Sequence, residues 1–377
     1  MRYFLSEDAV LKWLEIPSVY HLKRDELYEL DDESFEFLKS CASETGRETG
    51  DSSFIDYCLK EGILTTDEIS PRRPVLIKSP EPSLRYLELQ ITDRCNLKCR
   101  HCYISKRYYS ELPVNTVRDV LTEFEDMQGL RVLITGGEPL THGKFGEINE
   151  QLSDFDVRKI LFSNGLLLDR GVLRRLHVDE IQISIDGLEE GHDSLRGRGT
   201  FRSAIGAIRR SVDSGLEVSV ATMVHPRNLE DFDEMERLFK EMGIKDWTVD
   251  VPCMTGRLIE NAGFHISPEQ GGKYLRYGYG SGLHTGSPDF ACGLHLLAVM
   301  ADGRISKCTF YADSPVGRIG DGLRGCWKRI RHFRLDELAC DCRHIESCRG
   351  GCRYRAQLLG NPLGKDFYRC GLYDILE

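Results

Sequence analysis

The chain has 377 residues, 41% hydrophobic and 29% charged, with a formal net charge of −10, an ordinary globular composition whose length suggests two or three domains. No run of 18 apolar residues exists and the N-terminus lacks a basic-then-apolar layout, so neither a membrane span nor secretion is expected. A cytoplasmic location follows, in which thiols stay reduced and a disulfide scaffold is excluded. Fourteen cysteines therefore need another reason. Three lie between 95 and 102 and eight between 292 and 370, a clustering that points to metal or iron–sulfur ligation.

Residues 1–70 carry 7 basic and 17 acidic side chains and hold the whole net charge. They read as a small α+β, winged-helix-like unit. Val19–Leu22 and Leu27–Leu30 flank a charged turn, which predicts a hairpin. Asp31 and Asp32 are positioned to cap a helix carrying Phe35 and Leu38, and Phe54, Tyr57 and Cys58 share one face of another. Residues 66–82 hold four prolines, and we place a linker at 71–83.

From 84 to 285 strands and helices alternate. Strands are expected at 86–91, 131–135, 159–162, 180–185, 217–222 and 247–251, most of them short apolar runs suited to a parallel sheet covered on both faces. Between them, Val117, Val120, Leu121, Phe124 and Met127 predict a helix capped by Asn115 and stopped by Gly129. Phe232, Met235, Leu238, Phe239 and Met242 predict another between Asn228 and Gly243. Six such units are too few for a closed eight-fold barrel, so the fold class expected is α/β with a partial (β/α)6 barrel. Residues 286–377 lose periodicity and gain Gly, Arg and Cys, as in a region held partly by metal clusters. The stretch 323–355 has 9 basic and 4 acidic residues, which offset anionic thiolate clusters. With the acidic N-terminus, nucleic acid is not expected as a partner.

The first barrel strand runs into Cys95-Asn-Leu-Lys-Cys99-Arg-His-Cys102. Structural zinc takes four ligands, whereas three thiolates on a [4Fe–4S] cluster leave one iron open. Here the chain resembles the radical SAM superfamily over about 84–377. The resemblance implies that Cys95, Cys99 and Cys102 hold a catalytic [4Fe–4S] cluster whose open iron binds S-adenosyl-L-methionine. An electron from a donor such as flavodoxin or ferredoxin then yields a 5′-deoxyadenosyl radical that abstracts a substrate hydrogen. Further segments match in order. Tyr103 stands where an aromatic residue lies near the adenine. Gly136, Gly137 and Glu138 end the second strand, with Glu138 placed to accept from the SAM ammonium. Ser163 and Asn164 end the third, and Ser184 and Asp186 the fourth, as candidates for the ribose or methionyl part. Arg196 matches the arginine that pairs with the SAM carboxylate. Turn chemistry accounts equally well for the Ser-Asn-Gly and Ser-Ile-Asp-Gly segments taken singly.

The C-terminal spacing Cys292, Gly303, Cys308, Cys342, Cys348, Cys352, Cys370 resembles the SPASM extension, which implies two auxiliary [4Fe–4S] clusters. By resemblance Cys292, Cys308 and Cys352 serve the first, and Cys340, Cys342, Cys348 and Cys370 the second. The pair Cys340 and Cys342 is separated by one residue where the family has two. No cysteine stands in 286–291, which leaves the first cluster with an open iron or with Cys326 or Cys253 as fourth ligand. Cys253 follows the sixth strand and is a candidate hydrogen donor to a substrate radical or a small buried core residue.

Residues 15–65 resemble the peptide-recognition (PqqD-like) domain of SPASM maturases, and the whole is similar to geopeptide-type maturases. The expected substrate is a precursor peptide bound through its leader, with thioether crosslinking expected first. Cofactor biosynthesis on a tetrapyrrole or redox-cofactor precursor is the alternative. A multi-cluster electron carrier is a third, disfavoured because a carrier needs no SAM site.

Overall fold

The computed structural model describes residues 1–48, 52–68, 74–104, 106–280, 282 and 289–376. The boundaries expected at 70/71 and 285/286 lie outside them, as do residues 71–73 of the linker.

The N-terminal unit opens with β1 (Phe4–Leu5), β2 (Ala9–Trp13), β3 (Pro17–His21) and β4 (Glu26–Glu29). The expected hairpin is β3–β4, and β2 adds a third antiparallel strand on the other side of β3. Asp25, in its turn, has φ 59, a conformation Asp tolerates better than most residues. Helix α1 (Asp32–Cys41) is capped by Asp31, whose carboxylate accepts from Ser34 N at 2.7 Å. Helix α2 (Ser52–Lys60) buries Ile55 and Cys58, while Tyr57 stays 47% exposed against the expectation that it joins the buried face. β5 (Leu64–Thr65) pairs with β1 and closes the unit.

The barrel follows as β6 (Tyr86–Thr92), α3 (Val114–Asp126), β7 (Arg131–Gly136), α4 (Phe145–Gln151), β8 (Arg158–Ser163), α5 (Arg170–Leu173), β9 (Glu180–Ser184), α6 (Glu189–Arg196), α7 (Thr200–Asp213), β10 (Glu217–Met223), α8 (Phe232–Glu241) and β11 (Asp246–Asp250). These six strands are parallel and adjacent in sequence order. The right-twisted strand and its returning helix pack in only one sense, so each unit lies beside the last. Helix α3 starts after Pro113 rather than at Asn115, which lies inside it. Pro113 holds the N-cap position without a side-chain cap bond, and it disfavours helical backbone in the residue before it.

The remaining elements are α9 (Pro268–Gly271), β12 (Leu296–Val299), β13 (Arg304–Ser306), β14 (Gly317–Arg318), α10 (Leu323–Trp327), α11 (Ile345–Cys348), α12 (Arg353–Leu358) and α13 (Phe367–Leu372). β12 pairs parallel with β6, and β13 and β14 continue antiparallel, making nine strands. The C-terminal region thus extends the barrel sheet, and one core runs from Val132 and Ile183 to Leu297, Ile305 and Trp327.

The N-terminal unit covers the end of the barrel where strands begin. Lys12 Nζ donates to Gly129 O and Asp156 O at 2.8 and 3.1 Å. Asp25 accepts from Arg131 Nε at 2.7 Å, and Arg158 Nη1 donates to Leu22 O at 2.9 Å. Among the described residues no helix is long and apolar enough to cross a membrane.

Candidate active site and auxiliary cysteine sites

At the opposite end, β6 delivers the chain into the cysteine loop. Gly137 N donates to Thr92 O at 2.8 Å and Glu138 N to Arg94 O at 2.7 Å, tying the turn after β7 to that loop. A Cβ on Gly137 would stand 2.2 Å from Arg94 O, so only glycine permits this approach. Gly136 meets Thr92 O in the same way. Their close approach is therefore to the loop that carries the cysteines.

Arg107 Nη1 donates to Cys95 O at 3.3 Å and Leu97 O at 2.8 Å, and Arg257 N to Cys102 O at 2.9 Å. Cys95, Cys99 and Cys102 are electrostatic neighbours. Burial pushes the Cys99 thiol up to about 11 and raises that of Cys95, while Arg196 and Arg107 pull the other way. Burial opposes ionisation of Cys95 and Cys99, and a bound metal would supply the missing positive charge. Three thiols are the donor type and number that a [4Fe–4S] cluster with one open iron takes.

Glu138 is 1% exposed and accepts from Asn164 N at 2.8 Å and Ser163 Oγ at 3.0 Å. Burial raises its carboxyl to about 7 against the pull of these donors. Asn164 Nδ2 donates to Asn96 Oδ1 at 2.7 Å inside the cysteine loop. Ser163 and Asn164 thus spend their side chains on protein partners. Asp186 accepts from Arg196 Nε at 2.5 Å and from Met223 N at 2.7 Å, and its own N–H donates to His192 Nδ1 at 3.0 Å. Burial opposes ionisation of Asp186, yet Arg196 holds its carboxyl below the usual range. The guanidinium of Arg196 faces Cys99 and Cys102. Ser184 ends β9 half-buried, beside Ala221. The Tyr103 ring lies 5.7 Å from Phe310, and Gln90 Nε2 donates to its hydroxyl at 3.4 Å. Tyr103, Phe310, Thr255 and Tyr354 line a polar cleft of about 530 Å³ between the cysteine loop and the C-terminal region.

Cys340, Cys342, Cys348 and Cys370 line one cavity, with Lys365 and Arg369 in its wall. The one-residue spacing therefore still brings Cys340 to the other three. Cys352 neighbours Cys292 and Cys308, with Lys307 as counter-charge. Cys253 is 4% exposed and an electrostatic neighbour of Cys352. Cys326 lies apart in the barrel core with Leu323 and Trp327, its thiol 3.7 Å from Arg318 O. Sequence reasoning missed Arg107, the histidines around Asp186, and Glu88, whose carboxylate accepts from Thr309 N at 2.8 Å beside Cys308. Their partners lie far along the chain, and no local spacing marks them.

Residues 89–239 match the family model for the radical SAM superfamily. The chain is 28% identical over 329 residues to mycofactocin maturase MftC of Mycobacterium tuberculosis (strain H37Rv), covering 74% of this chain and 80% of that one. It is 27% identical over 192 residues to an AdoMet-dependent heme synthase of Nitratidesulfovibrio vulgaris, covering 49% of this chain and 52% of the other. Among solved structures, Streptococcus suis SuiB bound to precursor peptide SuiA superposes with a TM-score of 0.68 at 15% identity, covering 97% of this chain and 98% of that chain. At that identity the likeness speaks for the fold.

Proposed function

We propose that residues 89–239, which match the radical SAM family model, form a radical SAM domain and that this enzyme modifies a ribosomally made precursor peptide, with a thioether crosslink as the bond formed. Bound together, a [4Fe–4S] cluster and S-adenosylmethionine supply a 5′-deoxyadenosyl radical that takes a hydrogen atom from the substrate. In this proposal Cys95, Cys99 and Cys102 hold that cluster. Glu138 and Arg196 complement the ammonium and carboxylate of the methionyl part. Ser163 and Asn164 fix Glu138, and Asp186 fixes Arg196. Tyr103 and Ser184 bound the nucleoside side. The two C-terminal cysteine sets hold auxiliary clusters, and a flavodoxin or ferredoxin in the cytoplasm supplies the electron.

The observation that carries the peptide reading is β4. It is an edge strand, paired on one side to β3 and with no strand beyond it among the described residues. Its Tyr28 ring stands 6.4 Å from the half-exposed Tyr57 of α2. An unpaired edge beside an aromatic side chain suits an extended leader peptide added as a further strand. MftC, named a maturase, and SuiB, solved with a precursor peptide, support this reading, whereas the heme synthase favours a tetrapyrrole substrate.

The test pairs two variants with a small Cys-rich precursor peptide encoded beside the gene. Tyr57→Asp should weaken precursor binding about tenfold or more, roughly 1.4 kcal/mol, and leave 5′-deoxyadenosine formation intact. Cys95/Cys99/Cys102→Ala should abolish 5′-deoxyadenosine and the peptide's loss of two hydrogen atoms. Unchanged precursor affinity in Tyr57→Asp, with turnover of a porphyrin instead, would move the assignment to cofactor synthesis.

A further inference from the structure

We propose that the outer face of the cysteine loop, with Arg94, Lys98, Arg100, Lys106 and the aromatic pair Tyr108 and Tyr109, is the docking surface for an acidic one-electron carrier protein. The inference rests on the proposed reading of Cys95, Cys99 and Cys102 as a reducible cluster. It goes beyond that reading by naming where the reducing partner sits.

Burial alternates along the loop. Arg94, Asn96, Lys98 and Arg100 are exposed, while Cys95, Leu97 and Cys99 between them are half-buried or buried. The same few residues therefore turn thiols inward and cations outward. Arg107, through its bonds to Cys95 O and Leu97 O, brings the segment carrying Lys106 back against the loop. Residues 94–110 hold five basic and no acidic side chains, in a chain whose net charge is −10. The acids beside the face are engaged. Glu111 pairs with Arg94 at 3.4 Å and accepts from Gly143 N at 3.1 Å, and Asp93 is buried with Oδ2 accepting from Tyr108 N at 2.8 Å. Lys98 and Lys106 have no hydrogen bond or ion pair among the described residues. Tyr108 and Tyr109 are 73% and 69% exposed, and Arg94 lies 5.8 Å from the Tyr109 ring centroid. Tyr109 holds φ 58, a left-handed backbone that a bulky side chain rarely adopts. Strain kept at an exposed aromatic residue fits a surface that serves contact, and tyrosine and arginine carry much of the energy at protein interfaces.

A small charged patch suits a redox partner in particular. Complexes of electron carriers bury little area and are steered by charge. Electron transfer falls steeply with distance, and this face is backed by the three cysteines themselves. The long-range field agrees. Residues 1–70 hold the whole net charge and cover the opposite end of the barrel, so an acidic protein is repelled there and drawn here. In the step the carrier loses one electron and the cluster gains it, with no bond made or broken. The basic stretch 323–355 is the competing entrance, but there Arg329, Arg331 and Arg334 pair with Asp321, Glu337 and Asp336.

The test measures 5′-deoxyadenosine formation by the reconstituted full-length enzyme with two reductants, flavodoxin as the carrier and photoreduced 5-deazariboflavin as a small one. At limiting flavodoxin the rate should fall about tenfold between roughly 0.05 and 0.3 M salt, and stay level with deazariboflavin. Lys98→Glu combined with Lys106→Glu should slow the flavodoxin-driven rate about tenfold. Its iron content and deazariboflavin-driven rate should match the parent. Tyr109→Gly, which relieves the backbone, should keep the melting temperature and slow the flavodoxin-driven rate alone. Arg343→Glu, in the competing stretch, should change neither rate. Should the double variant lose iron, the salt dependence and Tyr109→Gly decide. An unchanged flavodoxin-driven rate in the double variant, or a loss confined to Arg343→Glu, would overturn the docking face and leave the radical chemistry standing. Weaker precursor binding in the double variant, with flavodoxin unaffected, would make the face a peptide site instead. No 5′-deoxyadenosine with either reductant would remove the proposed function and the docking face with it.

Discussion

His295 shows how burial, helped by a neighbouring cation, sets a residue's chemistry. It is 3% exposed, its ring nitrogen Nδ1 lies 2.8 Å from Ser83 O, and Nε2 has no partner among the described residues. Burial, with Arg85 nearby, lowers its pKa from 6.5 to about 4. Between those values the unfolded chain binds a proton that the folded one refuses, so stability is lost as pH falls from 6.5 towards 4. The span amounts to about 3 kcal/mol. His295→Asn, which can still donate to Ser83 O, should shrink the drop in unfolding free energy between pH 7 and pH 4 by about that amount. An unchanged difference in denaturant midpoints would contradict it. Nothing in the local sequence marks His295, whose partner is 212 residues away. The cysteines differ in this respect. Their spacing marked Cys95, Cys99 and Cys102 as a candidate cluster set, because cluster chemistry is written in local ligand intervals. Glu138 lies between these cases. Its turn was visible, but its anchoring by Ser163 and Asn164 needed the third strand to be folded beside it.

Among elements, the six parallel strands were legible because burial on both faces demands continuous apolar runs. β12 to β14 were not, since Leu296–Val299, Arg304–Ser306 and Gly317–Arg318 are too short to show a period. They are strands because β6 offers an edge, which is a tertiary cause. The loop after β11 was placed after the sixth strand, but its packing was invisible. Gly256 has φ +57, and a Cβ there would lie 2.4 Å from Cys102 O and 2.5 Å from Tyr103 O. Gly256→Ala therefore meets both a disfavoured backbone conformation, about 1–3 kcal/mol, and a clash with the cysteine loop. It should lower the melting temperature and reduce iron bound at Cys95, Cys99 and Cys102. Wild-type iron content and melting temperature in this variant would show that the loop shifts freely.

For the whole molecule, the decisive contact is the base of the barrel. Arg131, Arg158, Glu180 and Glu217 open four successive strands, and Arg158 Nη2 donates to Glu180 and Glu217 at 3.0 and 2.9 Å. Asp25 completes this buried array with its ion pair to Arg131, and Tyr20 donates to the same carboxylate. The acidic charge of residues 1–70 was visible in composition, but one of its carboxylates serves as the counter-ion to the barrel. Asp25→Asn keeps the shape and the turn conformation but leaves buried guanidinium charge uncompensated, at a cost of about 3–5 kcal/mol. The expected readout is a large fall in denaturant midpoint, with exposure of residues 1–48 to proteolysis. A loss below about 1 kcal/mol would show that solvent already reaches the array. For the same reason, deleting residues 1–70 would unfold more than a recognition module, and a point change at Tyr57 is the cleaner probe of leader binding.

The segment Val251–Arg257 lies between two places: its Cys253 is an electrostatic neighbour of Cys352, while Gly256 and Arg257 rest on Cys102. Three residues of trans peptide reach at most about 11 Å, so the two ends cannot settle independently. Thermodynamic reciprocity then applies. Whatever free energy the ordering of one end lends to metal uptake at the other, it must receive back in equal measure. Under the proposed function, loading of the two cysteine sets would be coupled through this loop, and their affinities would be shared properties of the pair.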